Sequence, residues 1–245
     1  MASRDTDVLL LLLSHFPVAR CEQLWMMSGT SKKRRYIPIG DVFHTLPIGS
    51  STALLQFHAL TGCDTTSYFA NHTKRSAWKV FKEHHHLLND LGRGELIEET
   101  IKAAEAFVCR MYNVHITDSV DSARHVLFSK SVTPETMPPT SNALRFQLMR
   151  AHYQCMIWMQ AACPMPDLPA PIDMEWKRGD AGLEPVLMSI AAIPESCLEM
   201  ISCTCKTQCK SRRCKCRKSQ LPCTSMCLCR QQKGDHSITC MNCMQ

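Results

Sequence analysis

Eight cysteines between Cys203 and Cys229 follow the spacing C-x-C-x3-C-x4-C-x-C-x6-C-x3-C-x-C, and Cys240 and Cys243 come after them. Eleven of the chain's 16 cysteines lie from Cys197 onward. Cysteine at this density serves disulfides or metal. The repeated C-x-C pairs favour metal. Residues i and i+2 of an extended segment do not readily bridge each other, but their thiolates reach the same ion or neighbouring ones. Thiolates bind zinc in closed tetrahedral sites, and soft sulfur donors select zinc or copper(I) over hard cations. About three zinc ions, with roughly twelve ligand positions, suit about nine thiolates if some of them bridge two metals. Cys203, Cys205, Cys209, Cys214, Cys216, Cys223, Cys227 and Cys229 supply eight, and Cys240 or Cys243 the ninth. The segment has almost no apolar residues to bury, so metal binding and folding are expected to be one event.

Residues 203–243 carry nine Lys/Arg against one acid, Asp235, a formal +8. The rest of the chain holds 19 basic and 21 acidic groups, so the chain's net +6 belongs to the tail. Thiolates and zinc together would leave the module at about +5, a compact cation suited to a polyanion. Lys206, Lys210, Arg212, Arg213, Lys215, Arg217 and Lys218 are the candidate nucleic-acid contacts, since Lys/Arg on phosphate supply most non-specific affinity. A metal-storage module, in which the bases merely neutralise thiolates, is the alternative. It predicts metal exchange without nucleic-acid affinity.

The segment Cys203–Cys229 resembles the CXC repeat of tesmin/TSO1-type proteins, a zinc module that binds DNA. The shared elements are C-x-C, C-x4-C-x-C, a six-residue gap and C-x3-C-x-C. The gap Lys206-Thr207-Gln208 is one residue shorter than is usual in that family. Where the family places a groove-reading tyrosine, this chain has Arg213. The resemblance implies zinc, duplex DNA and a nuclear location. The arginine implies phosphate contacts with little sequence preference.

A second constellation lies near the start. Asp5-Thr6-Asp7 precedes the apolar run Val8–Leu13, and Asp64 follows 57 residues after Asp7 in His58-Ala59-Leu60-Thr61-Gly62-Cys63-Asp64. Convergent carboxylates hold magnesium in two-metal nucleases. The basic stretch Lys74-Arg75-Ser76-Ala77-Trp78-Lys79-Val80 would suit a phosphate backbone. This order resembles the second half of a PIN-like, flap-endonuclease-type domain over residues 3–90. "HALTGCDTTS" followed by "KRSAWKVF" also resembles transposon-associated proteins of aquatic animals. The first acids of a PIN-like site would precede Met1, so Asp5, Asp7 and Asp64 are expected to be a vestigial part of one. As this chain the protein is expected to be no enzyme. The alternative is a magnesium-dependent, structure-specific nuclease, complete only in a longer chain.

The elements that must position these groups read as an α-rich α/β fold. Val8–Leu13 is expected as a strand buried on both faces, with short strands at Cys21–Met27 and Arg35–Ile39 around the turn Ser28-Gly29-Thr30. Helices are expected at 74–82, 95–113, 119–130 and from Ser141, as N-cap, to about Ala161. Ile97, Ile101, Ala104, Val108 and Met111 or Tyr112 line the second of these. Leu144, Leu148, His152, Cys155 and Met159 line the last. Six prolines from Pro164 to Pro194 read as a linker. The expected divisions are a partial PIN-like α/β region at 1–90, a helical region at 91–162, a Pro-rich linker at 163–196 and a zinc module at 197–245. No run of about 18 apolar residues exists to span a membrane. The six-residue run after Asp5 and Asp7 is too short and wrongly flanked for a secretory signal. Metal-type cysteine spacing then points to a reducing compartment. Ser31–Arg35 could serve as a nuclear localisation signal but reads as a solvated hairpin tip. His84-His85-His86 reads as an exposed helix end.

Overall fold

The computed structural model describes residues 2–3, 5–129, 136–180, 182–189, 202–206, 208–223, 227–231 and 240–242. They fall into two compact units, Met1–Ser189 and Ile190–Gln245. The first is helix-rich, with two small antiparallel hairpins, which is compatible with an α-rich α/β class.

Its elements in chain order are α1 (Thr6–His15), β1 (Trp25–Thr30), β2 (Lys33–Pro38), α2 (Ile39–His44), α3 (Leu54–Leu60), α4 (Lys74–His84), α5 (Glu98–Met111), α6 (Val120–Ser129), α7 (Ser141–Met159), β3 (Trp176–Gly179) and β4 (Gly182–Pro185). The run Val8–Leu13, expected as a buried strand, is helical instead. Five of its six residues are leucine, an unbranched helix former, and only Val8 is β-branched. Asp5 caps it: its Oδ1 accepts the Asp7 N–H at 2.9 Å. The first hairpin lies where two strands were expected. Its turn is Ser31-Lys32, three residues beyond Ser28, because Gly29 pairs with Arg34 inside the ladder.

The core forms around α3, every residue of which is buried, packed against α7 and α1. Phe57 of α3 meets Phe81 of α4 at 4.7 Å between ring centroids and Phe107 of α5 at 6.5 Å. The stripe on α7 is as its periodicity predicts: Leu144, Leu148, His152 and Cys155 are buried and Met159 half-buried. Its N-cap is Thr140, one residue before Ser141; the Thr140 hydroxyl accepts the Ala143 N–H at 3.2 Å. On α5 the stripe is buried from Ile101 onward, while Ile97 precedes the helix and stands in solvent.

His152 fixes the turn before α5. Its Nδ1 accepts the Gly92 N–H at 2.9 Å, so its Nε2 carries the proton and donates to the Gly94 carbonyl at 3.0 Å. Gly92 lies directly on α7 with φ +84°, and a Cβ there would sit 2.3 Å from Cβ of Cys155.

Residues 163–189, read from their prolines as part of a linker, include a 3₁₀ turn at Pro171–Met174 and the hairpin β3–β4. The Arg150 guanidinium donates to the Val186 carbonyl, and the Asn142 amide exchanges two 3.0 Å hydrogen bonds with Ser189. The compact unit thus extends to Ser189. Among the described residues no helix is long and apolar enough to cross a membrane.

Candidate metal centre

The second unit has a core of sulfur. Cys203, Cys209, Cys214, Cys216, Cys223, Cys227, Cys229 and Cys240 are all buried and pack into one cluster, with Cys205 half-buried at its edge. Backbone hydrogen bonds stitch distant segments around it. Leu228 N–H donates to Cys203 O at 2.9 Å, Met241 N–H to Gln208 O at 2.9 Å, and Cys223 N–H to Asn242 O. Cys209 and Gln220 take left-handed backbone, φ +54° and +57°, which reverses the chain on either side of the turn Lys215–Lys218. The cysteines therefore point inward from several directions although they are close in sequence.

The sulfur atoms form overlapping tetrads whose members all lie within 4.8 Å of one another: Cys203-Cys205-Cys209-Cys214, Cys203-Cys214-Cys216-Cys223, Cys203-Cys223-Cys227-Cys229 and Cys209-Cys223-Cys229-Cys240. Cys216 and Cys227 are 3.5 Å apart, so Cys203, Cys216, Cys223 and Cys227 form a further tetrad. Five of the sulfur pairs stand 3.5 to 3.9 Å apart. A zinc–sulfur bond of about 2.3 Å gives a tetrahedral edge of about 3.8 Å. A disulfide would require about 2.05 Å. The donor set therefore fits a tetrahedral thiophilic ion such as zinc, and no disulfide joins these nine cysteines.

Polar support is present. Asn242 Nδ2 donates to Leu221 O at 2.8 Å and to Cys223 Sγ at 3.4 Å, and the Cys203 N–H points at Cys227 Sγ, also at 3.4 Å. Such donors favour thiolate. Asn242 was not foreseen, since a lone asparagine between two cysteines carries no spacing signal. Burial pushes the Cys216 and Cys229 thiols up to about 12 and Cys205 up to about 11. A bound cation inverts that ordering, because a coordinating thiol is deprotonated outright. Cys197 and Cys243 lie outside the described residues. Among the described residues, Cys240 is the cysteine after Cys229 that joins the cluster.

The seven candidate bases, Lys206, Lys210, Arg212, Arg213, Lys215, Arg217 and Lys218, are all exposed. Alternation explains it: in C-x-C and C-x4-C-x-C the cysteines turn in and the intervening cations turn out. Arg217 is anchored through Nη1 to the Cys209 carbonyl at 3.2 Å.

The acids of the first unit do not converge. Asp5 caps α1. Asp7 Oδ1 pairs with His58 Nε2 at 2.6 Å. Asp64 is exposed in the turn closed by Thr66 N–H on Cys63 O. Among the described residues, the groups of three or more Cys, His, Asp or Glu ligands suited to a metal consist of the module's cysteines. Lys74, expected to meet phosphate, turns its Nζ to the His58 carbonyl and Thr61 Oγ1, both at 3.1 Å. Burial of this amine lowers it to about 8. His58 is also lowered, chiefly by burial and then by Lys74, against the opposing pull of Asp7. Asp7, His58 and Lys74 thus tie α1, α3 and α4 together.

No family model, no curated protein and no solved structure matches this chain.

Proposed function

We propose that residues 203–240 form a module of about three zinc ions and nine thiolates that contacts duplex DNA through its exposed cations. The observation that carries the zinc reading is the way the tetrads overlap. Cys203-Cys205-Cys209-Cys214, Cys203-Cys216-Cys223-Cys227 and Cys209-Cys223-Cys229-Cys240 account for all nine sulfurs. Each pair of these tetrads shares one cysteine: Cys203, Cys209 or Cys223. Those three are the bridging thiolates, the other six are terminal, and Cys240 is the ninth ligand. Zinc here supplies cross-linking and charge, replacing the apolar core that the module lacks.

The nucleic-acid reading rests on the outward array of seven cations and on the resemblance to the CXC repeat. Phosphate contacts position a protein without specifying sequence, which suits arginine at position 213. A nuclear location and an origin among transposon-associated proteins follow from the same resemblances. The test is anisotropy of labelled duplexes with the zinc-loaded chain across salt concentrations. Changing Arg212, Arg213 and Lys215 together to alanine should weaken all duplexes alike and flatten the log–log salt slope by up to about 3. Absence of affinity in the zinc-loaded chain would favour the metal-storage reading. A preference for one short motif surviving high salt would overturn the phosphate-dominated account.

A further inference from the structure

The hairpin β1–β2 has a character that the core does not explain. Lys32, Lys33, Arg34 and Arg35 follow one another, and no acid occurs between Trp25 and Pro38. All four cations are exposed, and among the described residues none has a carboxylate partner. Four successive like charges repel one another, so an external polyanion would relieve them.

The register decides what stands beside them. Met26, opposite Ile37, is 2% exposed and faces the core. Opposed residues share a face and successive residues alternate. The pairs Trp25–Pro38, Met27–Tyr36 and Gly29–Arg34 therefore make the outward face. On it Trp25 is 47% and Tyr36 58% exposed. They are diagonal neighbours, a relation that sets residues roughly 7–8 Å apart on a sheet face. Arg34 lies over Gly29, where φ is +95° and a Cβ would stand 2.3 Å from the Lys33 carbonyl oxygen. That crowding by backbone holds glycine at this place in the ladder. A cleft of about 350 Å³, lined by Ser3, Met27, Gly29, Thr30 and Arg34 among others, opens there.

We infer that this outward face is a binding platform for single-stranded nucleic acid. Trp25 and Tyr36 offer ring faces to two unstacked bases, and Arg34 on the same face, with Lys32 at the turn, takes the flanking phosphates; Lys33 and Arg35, paired with Thr30 and Ser28, lie on the opposite face. Stacking needs an exposed base face, which a single strand presents and a duplex keeps inside its stack. The charge alone would accept an acidic peptide, but the paired rings favour bases. The platform is on the first unit and does not depend on the duplex-binding reading of the zinc module.

The test uses the full zinc-loaded chain and labelled oligo(dT) of about 15 nucleotides, a length within single-strand site sizes. Trp25→Ala and Tyr36→Ala should each weaken oligo(dT) binding about 5- to 100-fold, the range for one lost base stack. Trp25→Phe and Tyr36→Phe should restore most of it. Duplex affinity should be unchanged by any of the four, while changing Arg212, Arg213 and Lys215 to alanine should lower duplex affinity without removing the aromatic effect. Far-ultraviolet dichroism and zinc content matching wild type confirm folding of each variant. The inference is overturned if the alanine variants bind oligo(dT) as wild type does, if duplex affinity falls in parallel, or if polyglutamate displaces oligo(dT) as well as unlabelled oligo(dT) does.

Discussion

Replacing a bridging cysteine should damage the module about twice as much as replacing a terminal one. Cys203 Sγ lies 3.9 Å from Cys209 Sγ in one of its tetrads and 3.9 Å from Cys223 Sγ in the other. Cys205 belongs to one sulfur tetrad, with Cys203, Cys209 and Cys214. Serine is close in size and a poor zinc ligand, so Cys205→Ser opens one tetrahedron and Cys203→Ser opens two. Structural zinc contributes about 10–16 kcal/mol per ion, so one ligand in four is worth about 3–4 kcal/mol. The expected losses are then about 3–4 kcal/mol for Cys205→Ser and about 6–8 kcal/mol for Cys203→Ser. A module of this size has a net stability of roughly 2–8 kcal/mol at ordinary values per residue. Cys203→Ser should therefore leave the module unfolded, whereas Cys205→Ser should leave a weakened, partly loaded one. The assay is zinc retained after dialysis, by elemental analysis, with release to a chromogenic chelator giving the relative rates. Equal zinc loss in the two variants, or a wild-type zinc content in Cys203→Ser, would refute the bridging assignment.

Gly92→Ala should destabilise the first unit by about 2–4 kcal/mol, from overpacking against Cys155 together with a disfavoured positive φ; a urea midpoint unmoved by the substitution would contradict the packing described. That unit should also lose stability in mild acid. His152 and His58 both have their pKa lowered, chiefly by burial. The unfolded chain then binds more protons below about pH 6.5, so stability is full above that value and falls as pH drops through it towards the folded-state values. All four tryptophans precede residue 190, so their fluorescence during urea titrations at pH 7.5 and 5.5 reports this unit alone, and a midpoint that rises in acid would show the sign to be wrong.

The cysteine cluster was legible because cysteine spacing is a local signal. The identity of the proposed bridges was not. It depends on how Cys203, Cys209 and Cys223 are brought together by left-handed backbone at Cys209 and by hydrogen bonds from residues 241 and 242. The spacing of Cys240 and Cys243 alone does not choose between them. On α7 a helical stripe over nineteen residues left little ambiguity. Over Val8–Leu13 a six-residue apolar run fitted helix and strand alike, and the leucine content and the Asp5 cap were the cues that favour helix. The acids carried two readings for a related reason: D-x-D is equally a capping sequence, and the partner of Asp7, His58, lies 51 residues away. Pro-rich residues 163–189 carry no periodicity, so nothing local announced that Arg150 and Asn142 would hold them.

The central claim is most directly tested by native mass spectrometry of the purified full chain before and after chelation. Bridged binding predicts a mass increase of about three zinc ions less about six protons, the charge the metal brings, returning to the metal-free mass as the module's dichroism disappears. One zinc ion or none, with dichroism indifferent to the chelator, would contradict it.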